Sequence, residues 1–96
     1  MTRRDGNRLL LEGPVGVDTV AAFLPASAGH VRDGVDVVDF GAVTAVDSAA
    51  VALALALVRE ARSSGRDLAF ANVPAAMREL AQLYGVSGLL PLAPRP

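Results

Sequence analysis

Cysteine, tryptophan and lysine are all missing from this 96-residue chain, and histidine occurs once. Without cysteine there is no disulfide framework and no thiolate metal site, which fits a reducing compartment. Without lysine there is no Schiff-base chemistry and no P-loop lysine. The lone His30 has no second histidine or cysteine to join it in a metal centre or a proton relay. Excess charge is lacking as well. A net charge of -1 and a pI near 5.6 speak against the clustered basic face of a nucleic-acid binder. Long hydrophobic runs are also absent. The longest uncharged stretch, residues 80–94, is broken by Gly85, Gly88, Pro91 and Pro94, and residues 48–58 are too few to cross a bilayer. Two arginines near the start are not followed by an apolar segment with a small-residue cleavage site, so no secretory signal is expected. These absences point to a cytoplasmic protein.

What the chain does have is apolar bulk: 52% hydrophobic residues and a mean hydropathy of +0.40, much of it alanine. A chain of this length supports one core, so a single domain over residues 1–96 is expected. Asp5-Gly6 is a tight-turn signal that opens a short hairpin, with residues 8–12 as its second strand. Gly13-Pro14-Val15-Gly16 breaks that strand. Asp18 or Thr19 then caps a helix that must start late, kink or restart at Pro25. Gly29 and Gly34 bracket a loop that holds His30. Residues 35–40 are rich in valine and read as a strand, and Thr44-Ala45-Val46-Asp47-Ser48 forms a polar hinge. A helix runs from the hinge to about Ser63, with Gly65 as its stop. Residues 67–72 read as a short strand. Pro74 opens a last helix, residues 75–84, on which Met77, Leu80, Ala81 and Tyr84 share one stripe. The terminal leucines add a small edge strand or pack on the sheet. Alternating strands and helices imply an α/β layer with a mainly parallel sheet.

Few residues offer catalytic chemistry. Asp36 and Asp39 flank a strand and read as solvated acids rather than an acid/base pair. Gly13-Pro14-Val15-Gly16 matches no nucleotide-binding loop and is explained by turn formation. Asp47-Ser48 stands apart. Either residue is a preferred helix cap, and capping alone contributes about 1 kcal/mol. The alternative is an exposed hydroxyl at a helix N-terminus, suited to an anion, a phosphoryl group or a partner. On the helix, Val51, Ala54, Leu55, Val58 and Ala61 form a stripe for the sheet. Leu53 and Leu57, with Ala49, Ala56 and Glu60 around them, are expected roughly on the opposite side. Apolar side chains left outside in this way mark an interface, unless the tail leucines cover them.

Residues 37–53, VVDFGAVTAVDSAAVAL, resemble the signature of the STAS domain, which occurs in anti-sigma factor antagonists, sulfate-transporter tails and small transport subunits. Residues 67–70, Asn72-Val73-Pro74 and residues 78–86 are similar to the family's third strand and last long helix. The wording Leu-Ala-Gln-Leu-Tyr-Gly-Val with a following Leu-Leu-Pro is most similar to MlaB-type subunits of the Mla ABC complex, which moves phospholipids between bacterial membranes. The resemblance covers about Leu9 to Leu92. It implies a single-layer mixed, mainly parallel sheet of about four strands with helices packed on it.

Two departures from the family pattern matter. Phospho-switched antagonists read Asp-Ser-Ser-Gly and are phosphorylated on the second serine, where this chain has Ala49. The family's acidic loop after the first strand is replaced by Gly13-Pro14-Val15-Gly16. The resemblance therefore implies a non-enzymatic domain, without cofactor or metal, that binds an MlaF-like ABC transporter ATPase subunit. It would meet the inner membrane only through that transporter. The expected contact residues are Thr44, Asp47, Ser48, Ala49, Leu53, Ala56 and Leu57. An anti-sigma factor antagonist that binds a kinase is the alternative. A homodimer through the same face is a further expectation, and a nucleotide binder is the least supported reading.

Overall fold

Gly6 turns the chain at a positive φ of 62° between β1 (Thr2–Asp5) and β2 (Arg8–Val15), which pair antiparallel as the Asp-Gly signal predicts. The structure is a computed structural model and describes residues 1–93. After the hairpin come α1 (Val20–Arg32), β3 (Val37–Val46), α2 (Ser48–Ser63), β4 (Ala69–Ala71), α3 (Ala75–Leu83) and a 3₁₀ turn at Ser87–Leu89. The sheet order is β1-β2-β3-β4, with β2, β3 and β4 parallel. The chain thus has the expected α/β architecture, a mixed and mostly parallel four-stranded sheet. Each crossover moves one strand in the same direction, so right-handed connections place α1 and α2 on one face of the sheet.

The core lies between that face and the helices. Leu9, Leu11, Val38, Phe40 and Phe70 point into it from the strands, with Phe40 and Phe70 in an edge-to-face contact at 6.0 Å. Phe23 and Val31 of α1, Met77 and Ala81 of α3, and Leu90 of the tail complete it. The tail does make an edge pairing: Phe70 N–H donates to Pro91 O, and Ala93 N–H donates to Phe70 O, each at 2.8 Å.

Three boundaries differ from expectation. Helix α1 runs through Pro25 without a break. Proline leaves the carbonyl four residues earlier unpaired. Both Pro25 and Ala21 are exposed, so that carbonyl faces water. The same helix absorbs His30, because buried Val31 holds the last turn on the core. Strand β3 extends through the expected hinge to Val46, following β2 by two register shifts that insert extra residues on the β3 side. On α3, Met77 and Ala81 are buried but Tyr84 is 54% exposed, so the expected stripe narrows towards the helix end.

The largest correction concerns α2. Leu53 and Leu57 were expected on an outer face, but they are 1% and 0% exposed. Helix α2 touches both α1 and α3, so it needs apolar side chains toward its neighbours as well as toward the sheet. Its buried residues, Ala50, Val51, Leu53, Ala54, Leu57, Val58 and Ala61, cover an arc of roughly 160° at the helical period. The exposed remainder of the helix is Ser48, Ala52, Arg59, Arg62 and Ser63.

Candidate functional site

The C-terminal ends of β2 and β3 and the N-terminal ends of α1 and α2 meet at one end of the sheet. Asp47 stands between them. It is the N-cap of α2 with extended backbone (φ -134°, ψ -168°), and its Oδ1 accepts from the Ala49 N–H at 2.8 Å. This satisfies one of the amides that a helix start leaves unpaired. Its second oxygen, Oδ2, accepts from the Val17 N–H at 2.9 Å, across 30 residues. One carboxylate therefore serves two loops. The cap belongs to Asp47, and Ser48 is left exposed beside it rather than capping the helix itself.

The β2–α1 loop is fixed from below by Thr19. Its Oγ1 accepts from the Gly16 N–H and donates to Pro14 O, both at 3.0 Å. Position 16 has no room for a side chain while Asp47 keeps its place. A Cβ there would lie 2.6 Å from Asp47 Oδ2 and 2.9 Å from its Cγ. The loop carries Val17, which is 71% exposed. A shallow cleft of about 190 Å³ separates the two loops, lined by residues 14–19 and 45–47.

The expected contact residues divide into three groups. Thr44 and Ser48 are exposed, Asp47 and Ala49 are half-buried around the same helix start, and Ala56 is half-buried two turns further along α2. Leu53 and Leu57 are in the core and leave this surface. Ala52, not among the expected residues, is exposed on the outward side of α2. Val17 was also missed, since its place beside the hinge arises only when β2 and β3 pair.

A second polar cluster lies on the sheet face opposite the helices, where alternation along β3 puts Asp39. Asp39 is 8% exposed, not a solvated acid. Its Oδ2 accepts from Arg8 Nε at 2.9 Å, and Oδ1 accepts from the Gly41 N–H at 2.7 Å and from Asn72 Nδ2 at 3.0 Å. Burial alone would raise its pKa. The hydrogen bonds from Asn72, Gly41 and Arg8, with the charge of Arg8, outweigh burial and hold the carboxyl below the ordinary carboxylate range. Asn72 reaches it from a left-handed backbone (φ 54°) that asparagine tolerates better than most residues. The cluster ties β2, β3 and the end of β4 together and has the form of a structural clamp. Asp36 is apart from it, accepting from Asn7 Nδ2 at 2.7 Å. Among the described residues no three acidic, histidine or cysteine side chains gather as a metal site, and no helix is long and apolar enough to cross a membrane.

Comparison with known proteins bears on the family and the fold. A family model described as "Mlab, STAS domain" matches residues 1–91. A search of the curated proteins finds no match. Among solved structures, the anti-sigma factor antagonist SpoIIAA in its unphosphorylated form is similar, with a TM-score of 0.71 and 17% identity over 99% of this chain and 88% of that one. The phosphorylated form of the Bacillus cell fate determinant SpoIIAA gives 0.67 and 18% identity over 99% and 91%. A candidate anti-sigma factor antagonist of Thermotoga maritima gives 0.75 and 11% identity over 99% and 86%. At these identities the structures show a shared fold.

Proposed function

Because the chain belongs to the STAS domain family, in the group described as MlaB, we propose that it docks on the cytoplasmic ATPase subunit of an ABC transporter. In this reading it is a non-enzymatic, MlaB-type subunit of a lipid transporter and supports the assembly or activity of the ATPase. It reaches the inner membrane only through that complex. The observation that carries the reading is the preformed surface at the start of α2. Exposed Thr44, Ser48 and Ala52, with half-buried Ala49 and Ala56, form a small-residue, uncharged patch held on a capped helix. Small side chains let a partner's backbone or helix approach closely, and a rigid patch loses little entropy on binding.

Withdrawal of Leu53 and Leu57 into the core changes how the contact is made. The apolar area that two leucines would bring is not on this face. Shape and close approach take its place, so the interface depends on the lack of bulk at Ser48 and Ala52. Ala49 supports a docking role over a phosphorylation switch. SpoIIAA has a phosphorylated form, and at the position where the family's phospho-switched members carry the acceptor serine this chain has a methyl group.

The test is co-purification with an MlaF-like ABC ATPase. Ser48→Arg and Ala52→Arg place bulk and charge on exposed positions and leave the core intact, so both variants should fold and lose the ATPase. A complex that survives both substitutions refutes this face as the contact. Incubation with an anti-sigma kinase and ATP separates the alternative: transfer of phosphate to Ser48 would favour an antagonist.

A further inference from the structure

We infer that Asp47 is a positioning residue that joins the β2–α1 loop to the start of α2, so that Val17 and Ser48 are presented as one rigid docking surface, with Gly16 leaving room for its carboxylate. The inference rests on the docking role proposed above and adds the device that shapes the surface. Any of serine, threonine, asparagine or aspartate caps a helix well. Capping alone therefore does not explain why a carboxylate stands here. The geometry does. Both contacts of Asp47 are accepted hydrogen bonds, one from the Ala49 N–H and one from the Val17 N–H. Among side chains that cap well, only a carboxylate accepts on both oxygens at once. Asparagine offers one acceptor and would turn its NH₂ toward the other N–H, and serine is too short to reach both.

Gly16 is an independent sign of the same device. The close approach of Asp47 Oδ2 to the position of its missing Cβ means that a side chain at position 16 would push the carboxylate from its place. Thr19 holds the loop from its other side, which leaves Asp47 as the tie between loop and helix. Asp47 itself is half-buried beneath exposed Val17 and Ser48. It acts through the loop it holds.

Asp47→Ser separates the two roles of the carboxylate, since serine restores the cap and drops the tie. The variant should still unfold in one cooperative transition, with a midpoint lowered by no more than the loss of this one contact. Amide exchange at Val17 should speed by about tenfold or more, as expected for loss of a hydrogen bond to a charged group, while Ala49 stays protected. Affinity for the ATPase should fall alongside. Gly16→Ala should release the Val17 amide in the same way, and the double variant should lose no more than either single change, because both break one contact. Wild-type exchange at Val17 in Asp47→Ser overturns the inference. A released loop with unchanged ATPase affinity also overturns it, since the tie would then position nothing. If Ser48→Arg and Ala52→Arg leave the complex intact while Asp47→Ser still frees Val17, the docking face is wrong and the tie between loops stands.

Discussion

Replacing Leu57 with alanine distinguishes a core leucine from a contact leucine. The side chain is fully buried, and Leu53, one turn earlier, is 1% exposed. Truncating a buried leucine removes its transfer free energy and leaves a cavity, which costs about 2–5 kcal/mol in well-packed cores. Helix α2 is held between α1 and α3, so the site collapses poorly and the middle of that range, about 3 kcal/mol, is expected. A domain of this size has about 5–15 kcal/mol in total, so one substitution removes a large share. In urea, with a slope of about 1–3 kcal/mol per molar for small proteins, the midpoint should fall by roughly 1–3 M. In a thermal scan the same loss lowers the melting temperature by about 12–24 °C. Ala52→Arg, on the exposed side of the same helix, should stay within about 0.5 kcal/mol of wild type. If Leu57→Ala unfolds at the wild-type midpoint but no longer captures the partner, the leucine is a surface contact and the burial argument fails. Leu57→Asp would not make this distinction, because a buried unpaired charge unfolds the domain in either case.

Two further outcomes follow from the polar groups. Asp39→Asn removes the charge that Arg8, Gly41 and Asn72 converge on and should destabilise by about 1–3 kcal/mol at neutral pH, measured in denaturant. Since the folded pKa of Asp39 is depressed, its contribution is present above the unfolded value near 4 and is lost as the pH falls through the folded value. The gap between wild type and Asp39→Asn should therefore close on acidification below about pH 4, and a constant gap would show that the charge is not the cause. Ser27 is fully buried in α1 with an unpartnered hydroxyl, so Ser27→Ala should be neutral or stabilising by up to about 2 kcal/mol. A loss above about 1 kcal/mol would mean that the hydroxyl is bonded in solution.

Local chemistry announced much of this fold. The Asp-Gly hairpin, the alternation of strands and helices and the stop at Gly65 are each written in a few adjacent residues and stand where they were expected, while the cap, open between Asp47 and Ser48 in the sequence, falls to Asp47. Periodicity failed on α2 because it shows which faces of a helix are apolar and not how many neighbours the helix has. A helix on the outside of a layer hides one stripe, whereas one between two others hides a much wider arc, and the same leucines suit either. Asp39 was misread for a related reason. Arg8 and Asn72 lie 31 and 33 residues away, and nothing near Asp39 in the chain announces them. The site shows the same division. Asp47 and Ser48 were legible as a helix start, whereas Thr44 belongs to β3 and the contact from Asp47 to Val17 exists only because two strand ends are paired.

The strand order has a consequence for what this end of the molecule holds. In open α/β sheets, deep crevices form where the order of strands reverses and successive helices leave to opposite faces. Here the order advances from β1 to β4 without reversing, so the helices following β2 and β3 lie side by side and the loops above them close over a shallow depression. That depression is smaller than the roughly 300–1,000 Å³ of a typical small-molecule pocket. A topology without a switch point builds a platform instead of a crevice, and a platform is the shape that meets another protein's surface.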